Sequence, residues 1–312
     1  MRILFFGTPE FATPPLRALI GEGHDVVGVV TQPDRPQGRS RSKLLPSPVK
    51  IVAEAEGIPV LQPERPRGDE FMASIRALQP DLSVVVAYGH ILRQEVIDLP
   101  RLGTVNIHAS LLPRWRGAAP IQAAILAGDP ETGVAVMRMV LALDAGPVLH
   151  EVRTGIGQEE TAGELTERLS EMGARGIIEA LALLDLDGLE ERPQDDALVT
   201  YAGKIERAQA RLDFSEPAEL VAREIRAYDP KPGAWSILRG TEVRLFGVRV
   251  LADRRGDPGE VLATGEMGMI VACGIGAVAV ETVHPAGKRR LAALDWAQGR
   301  GVAPGDHWEP WA

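Results

Sequence analysis

Asparagine and histidine lie two residues apart at positions 106 and 108, where a short apolar segment runs into a polar turn containing glycine and proline. If residues 104–108 are extended, both side chains project from the same face of a sheet. An amide can donate a hydrogen bond to a developing oxyanion, and an imidazole with a carboxylate can move protons. Together with Asp144 on a later loop, Asn106 and His108 therefore suit acyl-type transfer. Asn106 is also the only asparagine in the chain.

Ser110 is the nearest candidate nucleophile, but its surroundings do not favour covalent catalysis. It leads into a Leu-Leu-Pro turn, whereas many nucleophilic serines lie in a Gly-x-Ser-x-Gly turn. Direct transfer is the better interpretation. A lone His or Asn at a strand end is often purely structural, so spacing alone leaves that alternative open.

Alternating strands and helices are expected to position these residues. Apolar runs bounded by turn residues predict strands at 2–6, 24–31, 58–61, 82–87, 103–108 and 133–139. The intervening segments have helical patterns, which together predict an α/β fold with a doubly wound, mostly parallel, Rossmann-like sheet. Ligands bind at the carboxyl ends of the strands in such sheets, where Asn106, His108 and the Asp144 loop are expected to lie.

A change of pattern near residue 200 predicts a second domain. Residues 1–189 are expected to form the catalytic domain, and 190–205 a linker that begins acidic and contains Gly and Pro. Residues 206–312 contain several short strands separated by turns, which predict a smaller C-terminal β-barrel of OB-like type.

Several classes of site and location are disfavoured by composition and motifs. The turn Gly-Thr-Pro-Glu-Phe-Ala at 7–12 lacks the second glycine of a dinucleotide site, and phosphate-loop and zinc motifs are absent from the sequence, so no metal is expected. The single cysteine, Cys273, cannot form an intramolecular disulfide. The sequence has no apolar run of about 18 residues and no signal-peptide pattern, which predicts a cytoplasmic protein without a membrane span.

Charge is distributed unevenly. The net charge of −9 argues against bulk attraction to nucleic acid. Residues 31–50 nevertheless contain five basic residues and one acidic residue, a local charge of +4. This cluster requires a separate explanation.

The segment around the Asn-x-His pair resembles methionyl-tRNA formyltransferases. It reads Asn106-Ile-His-Ala-Ser-Leu-Leu-Pro-Arg-Trp-Arg-Gly-Ala-Ala-Pro-Ile, and Leu-Asp144-Ala-Gly follows. Further motifs of that family occur along nearly the whole chain, at 6–11, 31–36, 46–50, 86–89, 226–230 and 285–288. An Asn-x-His pair with a later Asp also occurs in other enzymes that use 10-formyltetrahydrofolate. The long Arg-Trp-Arg-Gly-Ala-Ala-Pro run and the predicted barrel favour the tRNA enzymes.

The resemblance implies that the amino group of methionyl-tRNA attacks the formyl carbon of 10-formyltetrahydrofolate. Asn106 would polarise the formyl oxygen, and His108 would stabilise the tetrahedral intermediate and help with proton transfer. Asp144 would orient His108 and accept the amine proton. The turn after the strand would line the folate site through Ser110, Leu111, Leu112 and Pro113.

The resemblance also gives the basic cluster a function. In the family, an insertion in this loop wedges against the acceptor stem of the tRNA, and Arg39 is the expected contact. Neighbouring basic residues would assist, namely Arg35, Arg41 and Lys43. On the predicted barrel, Lys288, Arg289 and Arg290 are expected to contact phosphates. A solvated charged loop is the alternative interpretation.

The expected partners are initiator methionyl-tRNA and the folate donor, with no membrane, and the protein is expected to be a monomer. Two alternatives stay open at this point. One is another 10-formyltetrahydrofolate enzyme, either a small-molecule formyltransferase or a hydrolase that uses water. The other is a non-catalytic RNA-binding protein with the same fold.

Overall fold

A mostly parallel sheet and an antiparallel sheet organise the computed structural model, which describes residues 1–37, 43–186, 188 and 190–310. The chain divides into two compact units, each made of three segments. The first unit comprises Met1–Pro120, Thr132–Gly155 and Thr166–Ala202, and the second comprises Ile121–Glu131, Ile156–Leu165 and Gly203–Ala312. Most of the segment expected to be a linker, 190–205, thus lies in the first unit. The domain functions stay predictions.

Strands and helices alternate through the first two hundred residues. The strands are β1 Arg2–Gly7, β2 Asp25–Val30, β3 Arg35–Gln37, β4 Lys43–Leu45, β5 Val60–Leu61, β6 Leu82–Val86, β7 Thr104–His108, β8 Arg116–Gly117, β9 Glu131–Arg138, β10 Val148–Gly155 and β11 Tyr201–Ala202. The helices are α1 Thr13–Gly21, α2 Pro48–Ala55, α3 Asp69–Ala77, α4 Gln94–Ile97, α5 Pro120–Ala127 and α6 Ala162–Asp185. Local chemistry sets several of these ends. Helix α2, for example, begins after Ser47, whose hydroxyl accepts a hydrogen bond from the Lys50 backbone N–H at 3.1 Å.

Seven of these strands form one sheet in the order β10-β9-β7-β6-β1-β2-β5. Neighbouring strands from β5 to β7 pair in parallel, whereas β9 pairs with β7 in the antiparallel direction. All five residues of β6 and five of the six in β1 are buried, as parallel strands require when helices cover both faces. The predicted doubly wound, mostly parallel sheet is confirmed.

Strand β10 was not expected from the sequence. It lies at the edge of the sheet next to β9, and its eight residues include His, Glu, Arg and Thr. An edge strand has one unpaired side and one more exposed face, so its sequence lacks the continuous apolar run that identifies a central strand.

An antiparallel sheet organises the second unit. Its strands are β12 Ala234–Leu238, β13 Thr241–Leu251, β14 Val261–Gly265, β15 Gly268–Ala272, β16 Ala277–Pro285 and β17 Leu291–Ala292, with helices α7 Ala218–Tyr228 and α8 Ala293–Gln298. The strand order is β12-β13-β16-β15-β14, and β17 pairs with β16.

The C-terminal segment links the two outer strands of this sheet. Trp308 forms a bridge with Leu238 at the end of β12, and His307 forms one with Glu260 immediately before β14. The Trp308 ring also packs against Phe214 and Trp296, with centroid distances of 5.8 and 6.5 Å. The antiparallel sheet is confirmed, while closure into a complete OB-like barrel stays a prediction.

Helix α6 is 24 residues long and amphipathic. Leu165, Leu169, Ile177 and Leu181 are buried at helical spacing, so they form its apolar face. Within the described ranges, no helix has both the length and the apolar composition that crossing a membrane requires.

Candidate active site

Strand β7 holds Asn106 and His108 near its carboxyl end. Asn106 is in register with Val85 of β6 and Met137 of β9, so the pair lies inside the sheet rather than at its edge. His108 is buried and Asn106 is half-buried. Their Cα atoms are about 6.6 Å apart in an extended strand, and their side chains share one face, as predicted. Among the described residues, none forms a hydrogen bond with the Asn106 amide, which leaves the amide available to a ligand.

A backbone carbonyl fixes the orientation of the His108 ring. The Nε2 atom of His108 lies 2.9 Å from the carbonyl oxygen of Trp115. Because a carbonyl oxygen only accepts hydrogen bonds, Nε2 carries the proton and donates it. In the neutral ring, Nδ1 is then an unprotonated acceptor. That acceptor is the atom available for proton transfer.

Asp144 faces this acceptor across a short gap. Its Oδ2 atom lies 3.7 Å from His108 Nδ1, beyond the range of a direct hydrogen bond. The same oxygen accepts a hydrogen bond from the Gly117 backbone N–H at 2.8 Å. The ring is therefore oriented by Trp115, and the gap leaves two proton acceptors facing each other. The role predicted for Asp144 in orienting His108 has no direct bond to support it.

Two glycines allow the turns around Asp144 to pack closely against neighbouring backbone carbonyl groups. Gly117 has φ of +122°, and a Cβ there would lie 2.5 Å from the carbonyl oxygen of Ala202. A Cβ on Gly146 would lie within van der Waals overlap of the Arg138 carbonyl oxygen, at 1.9 Å. Any larger side chain would move the backbone that holds the carboxylate of Asp144.

Two further residues contact the site and were not identified from the sequence. Gln194 binds the backbone of the Asp144 loop, and Thr200 binds the backbone of Trp115. Both lie within the segment expected to be a linker. The nearest signal in the sequence was the apolar and hydroxyl stretch Leu198–Tyr201, which carries no motif.

The predicted folate turn is tightly packed. Ser110 is buried, and its hydroxyl donates a hydrogen bond to the carbonyl oxygen of Arg114 at 2.6 Å. Leu112 is buried against Ala135, Met137 and Val148, while Leu111 and Pro113 are half-buried. The Ser110 hydroxyl is thus used within the turn, in agreement with the interpretation against a serine nucleophile. The contribution of these four residues to folate binding stays a prediction.

The basic cluster lies in and near the hairpin of β3 and β4. Arg35 is exposed at the start of β3 and donates a hydrogen bond to the side-chain oxygen of Gln32. Lys43 begins β4. Arg39 and Arg41 lie outside the described residues.

Lys50 is not a free member of this cluster. Its Nζ atom donates to Asp34 Oδ2 at 2.8 Å and to Gln62 Oε1 at 2.9 Å. The hydrogen bond from Lys50, together with a second from Gln62 Nε2 to Asp34 Oδ1 at 2.7 Å, holds the pKa of the Asp34 carboxyl below its usual value. The Lys50 charge is therefore compensated locally, which leaves the hairpin residues as the candidates for contacting an anion.

The basic residues after β16 divide into two kinds. Lys288 and Arg289 are exposed. Arg290 instead stacks over the Phe246 ring at 4.0 Å and lies 3.7 Å from an Asp229 carboxylate oxygen. All three residues are exposed, but the Arg290 guanidinium is engaged by Phe246 and Asp229 within the second unit. Lys288 and Arg289 are therefore the better candidates for contacting a phosphate.

Comparison with known families defines the class of the protein. A family model described as "Formyl transferase" matches residues 1–181, and one described as "Formyl transferase, C-terminal domain" matches residues 204–301. The mostly parallel sheet with Asn106, His108 and Asp144 at one site thus lies in the region matched by the first model. The class is that of the formyl transferases.

Full-length relatives give a narrower assignment. The methionyl-tRNA formyltransferase of Methylococcus capsulatus is 51% identical over 305 residues, which cover 97% of this chain and 98% of the relative. The protein of the same name from Xanthomonas campestris pv. campestris is 50% identical over 307 residues, covering 97% and 99% of the two chains. The chain belongs to the methionyl-tRNA formyltransferase family.

Solved structures share the fold at low identity. HypX from Aquifex aeolicus in complex with tetrahydrofolic acid aligns with all of this chain and 50% of its own, with a TM-score of 0.69 and 22% identity. The sugar 3N-formyltransferase WlaRD aligns over 92% of this chain and 98% of its own, with a TM-score of 0.67 and 16% identity. At these identities the likeness concerns the fold alone.

Proposed function

We propose that this protein transfers the formyl group of 10-formyltetrahydrofolate to the α-amino group of initiator methionyl-tRNA. The observation that carries the proposal is the 51% identity, over nearly the whole chain, to a methionyl-tRNA formyltransferase. The arrangement of Asn106, His108 and Asp144 supports it independently, because it combines an available amide with two facing proton acceptors.

Asn106 binds the formyl oxygen in the proposed mechanism. As the amine attacks, negative charge develops on that oxygen. A hydrogen bond from the side-chain N–H of Asn106 stabilises this charge. The strands on both sides fix the backbone of Asn106, so the position from which its amide projects is set before the reaction begins. A preorganised donor of this kind stabilises the transition state more than the ground state.

His108 and Asp144 handle the proton. The amine lone pair forms the new C–N bond, the bond between the formyl carbon and N10 breaks, and one proton moves overall from the amine to N10. Nδ1 of His108 and Oδ2 of Asp144 are both acceptors, and an amine N–H or a water placed between them can pass its proton to either. The proposed reaction needs neither a covalent enzyme intermediate nor a metal.

The finer assignments belong to the same proposal. Ser110, Leu111, Leu112 and Pro113 form one wall of the folate site through their backbone and half-buried apolar atoms. The catalytic domain spans residues 1–189, and the C-terminal domain, 206–312, binds tRNA. The protein acts as a monomer in the cytoplasm.

Basic and aromatic residues of the second unit supply one tRNA surface. Trp235, Arg244 and His284 lie in one row across β12, β13 and β16. The Arg211 guanidinium lies 5.7 Å from the Trp235 ring, and that of Arg207, which is paired with Glu242, lies 5.4 Å from it. Cationic groups beside an aromatic face suit contacts with phosphates and bases. Lys288 and Arg289 extend this surface, and Arg35, Arg39, Arg41 and Lys43 form the hairpin contact.

Removing Lys288 and Arg289 together should weaken tRNA binding and its salt dependence. Each basic residue that neutralises a phosphate adds about 0.7–0.9 to the slope of log K against log salt, so the double alanine variant should lower the slope by about 1.5. Filter binding of methionyl-tRNA at several salt concentrations measures it. The double variant Arg17→Ala/Arg76→Ala removes the same charge from exposed positions on α1 and α3 and should leave the slope unchanged. An equal effect of both double variants would exclude a local contact.

One assay separates the proposed function from its alternatives. The protein is incubated with 10-formyltetrahydrofolate and methionyl initiator tRNA, and formylmethionyl-tRNA and free formate are both quantified. Formation of formylmethionyl-tRNA is the expected result. Formate without formylmethionine would indicate a hydrolase, and tRNA binding without turnover would indicate a non-catalytic RNA-binding protein.

A further inference from the structure

A single segment, residues 194–200, contacts the supports of both His108 and Asp144; it is called the strap segment below. It lies in the first unit. Strand β11 directly follows the strap segment and pairs in parallel with β8, with Tyr201 opposite Arg116. The strap segment is therefore anchored beside the turn that follows β7.

The side-chain amide of Gln194 joins the Asp144 loop to the turn containing Arg116. Its Nε2 atom donates to the carbonyl oxygens of Asp144 and Gly146 at 2.8 and 2.7 Å. Its Oε1 atom accepts a hydrogen bond from Arg116 Nε at 2.9 Å. Both N–H groups and the oxygen of the amide are thus engaged, which fixes the backbone of the Asp144 loop against the turn containing Arg116.

Thr200 holds the backbone around Trp115, the residue that orients His108. Its hydroxyl accepts a hydrogen bond from the Trp115 backbone N–H at 2.9 Å, and its carbonyl oxygen accepts one from the Arg116 N–H at 2.9 Å. These two hydrogen bonds hold the backbone on both sides of Trp115, whose own carbonyl oxygen orients the His108 ring. Trp115 also has φ of +60°, an uncommon conformation that needs support from its surroundings.

We propose that the strap segment positions His108 and Asp144 relative to each other, with Gln194 and Thr200 as positioning residues. The two catalytic groups do not form a direct hydrogen bond across their 3.7 Å gap. Both are tied to the same short segment, so the strap segment sets the gap. Displacements of about 1 Å at a catalytic group can cost about 10²-fold in rate, and loss of either contact permits such a displacement. This inference rests on the proposed function.

Isosteric variants test the positioning role in formylation assays. Thr200→Val removes the hydroxyl acceptor at nearly constant volume, and Thr200→Ser restores it. Gln194→Glu keeps an acceptor for Arg116 but removes both donors to the Asp144 loop. We expect Thr200→Val and Gln194→Glu each to lower kcat about 10- to 100-fold, with KM for the folate and Kd for tRNA within about twofold of the parent. Thr200→Ser should recover most of the parent kcat.

Leu198→Ala is the matched control, because Leu198 lies on the strap segment with its side chain exposed. It should leave kcat unchanged. A purely structural role would instead lower the melting temperature of Thr200→Val and leave the kcat of the remaining folded protein intact. That result, or a failure of Thr200→Ser to restore kcat, would overturn the proposal.

A second measurement does not depend on activity. In protein labelled with ¹⁵N at histidine, the ring nitrogens of His108 should show the tautomer with the proton on Nε2 in the parent and in Thr200→Ser. Thr200→Val should show a mixture of tautomers. An unchanged His108 signal in Thr200→Val would reject the positioning role even if the parent had no formylation activity, whereas lack of parental turnover alone would reject only the proposed function.

Discussion

Replacing Asp144 with asparagine should lower kcat for formylation by about 10²-fold or more, while the dissociation constant for methionyl-tRNA stays unchanged. Asparagine has nearly the same shape, and its side-chain oxygen can still accept the hydrogen bond from the Gly117 N–H. It cannot take up a proton from the amine. The change therefore isolates the proton-accepting function of the carboxylate from its support of the turn. Single-turnover rates at saturating folate, together with tRNA binding, measure the effect.

Asp98→Asn is a suitable control for this prediction. Asp98 is exposed at the end of α4 and accepts a hydrogen bond from Gln94, which asparagine can also accept. It carries the same substitution without contact to the site residues described above, so its rates should match the parent. Unchanged turnover in Asp144→Asn would remove the carboxylate from the proton transfer, and a parallel loss of tRNA binding would indicate that Asp144 acts on the structure instead.

The sequence was sufficient to predict where Asn106, His108 and Asp144 lie, because their placement follows from strand geometry. A period of two puts Asn106 and His108 on one face, and a buried parallel strand ends at the ligand-binding edge of its sheet. The Asp144 loop follows the neighbouring strand β9. These properties depend on local pattern and on topology, both of which are recorded in the order of residue types.

The supports of these side chains could not be predicted in the same way. Thr200 contacts Trp115 across 85 positions in the chain, through a backbone N–H that every residue except proline possesses. The orientation of His108 likewise depends on a carbonyl group, whose direction is set by the turn rather than by side-chain type. The acidic stretch before the strap segment, with its glycine and proline, has the composition of a linker. Residue types alone did not distinguish a segment that crosses between domains from one that packs along the first unit.

The sequence likewise could not show which basic residues are already paired with other side chains. The sequence identified five basic residues between 31 and 50, but one of them, Lys50, is paired with Asp34. Arg290 is similarly engaged within its own unit, where it stacks on Phe246 and faces Asp229. A count of charges therefore overestimates the groups available to a phosphate. The partners of each side chain have to be known before a basic segment can be assigned to tRNA binding.

Asn106 should give the steepest series of effects. Asn106→Ala removes the amide donor and should lower kcat about 10²- to 10³-fold, which corresponds to about 3–4 kcal/mol of transition-state stabilisation. Asn106→Asp has nearly the same volume, but a carboxylate would face the developing negative charge, so its kcat should be lower still. We therefore expect kcat to fall in the order parent, Asn106→Ala, Asn106→Asp. If only side-chain volume mattered, kcat of Asn106→Asp would instead exceed that of Asn106→Ala.

Single-turnover formylation at saturating 10-formyltetrahydrofolate measures this order, and thermal unfolding of each variant tests the fold. Gln158→Ala removes an exposed amide elsewhere in the chain and should not alter kcat. Because Asn106 is half-buried and its amide forms no hydrogen bond with the described residues, alanine should change the melting temperature little. A kcat for Asn106→Asp equal to or above that of Asn106→Ala would show that the amide does not face the oxyanion.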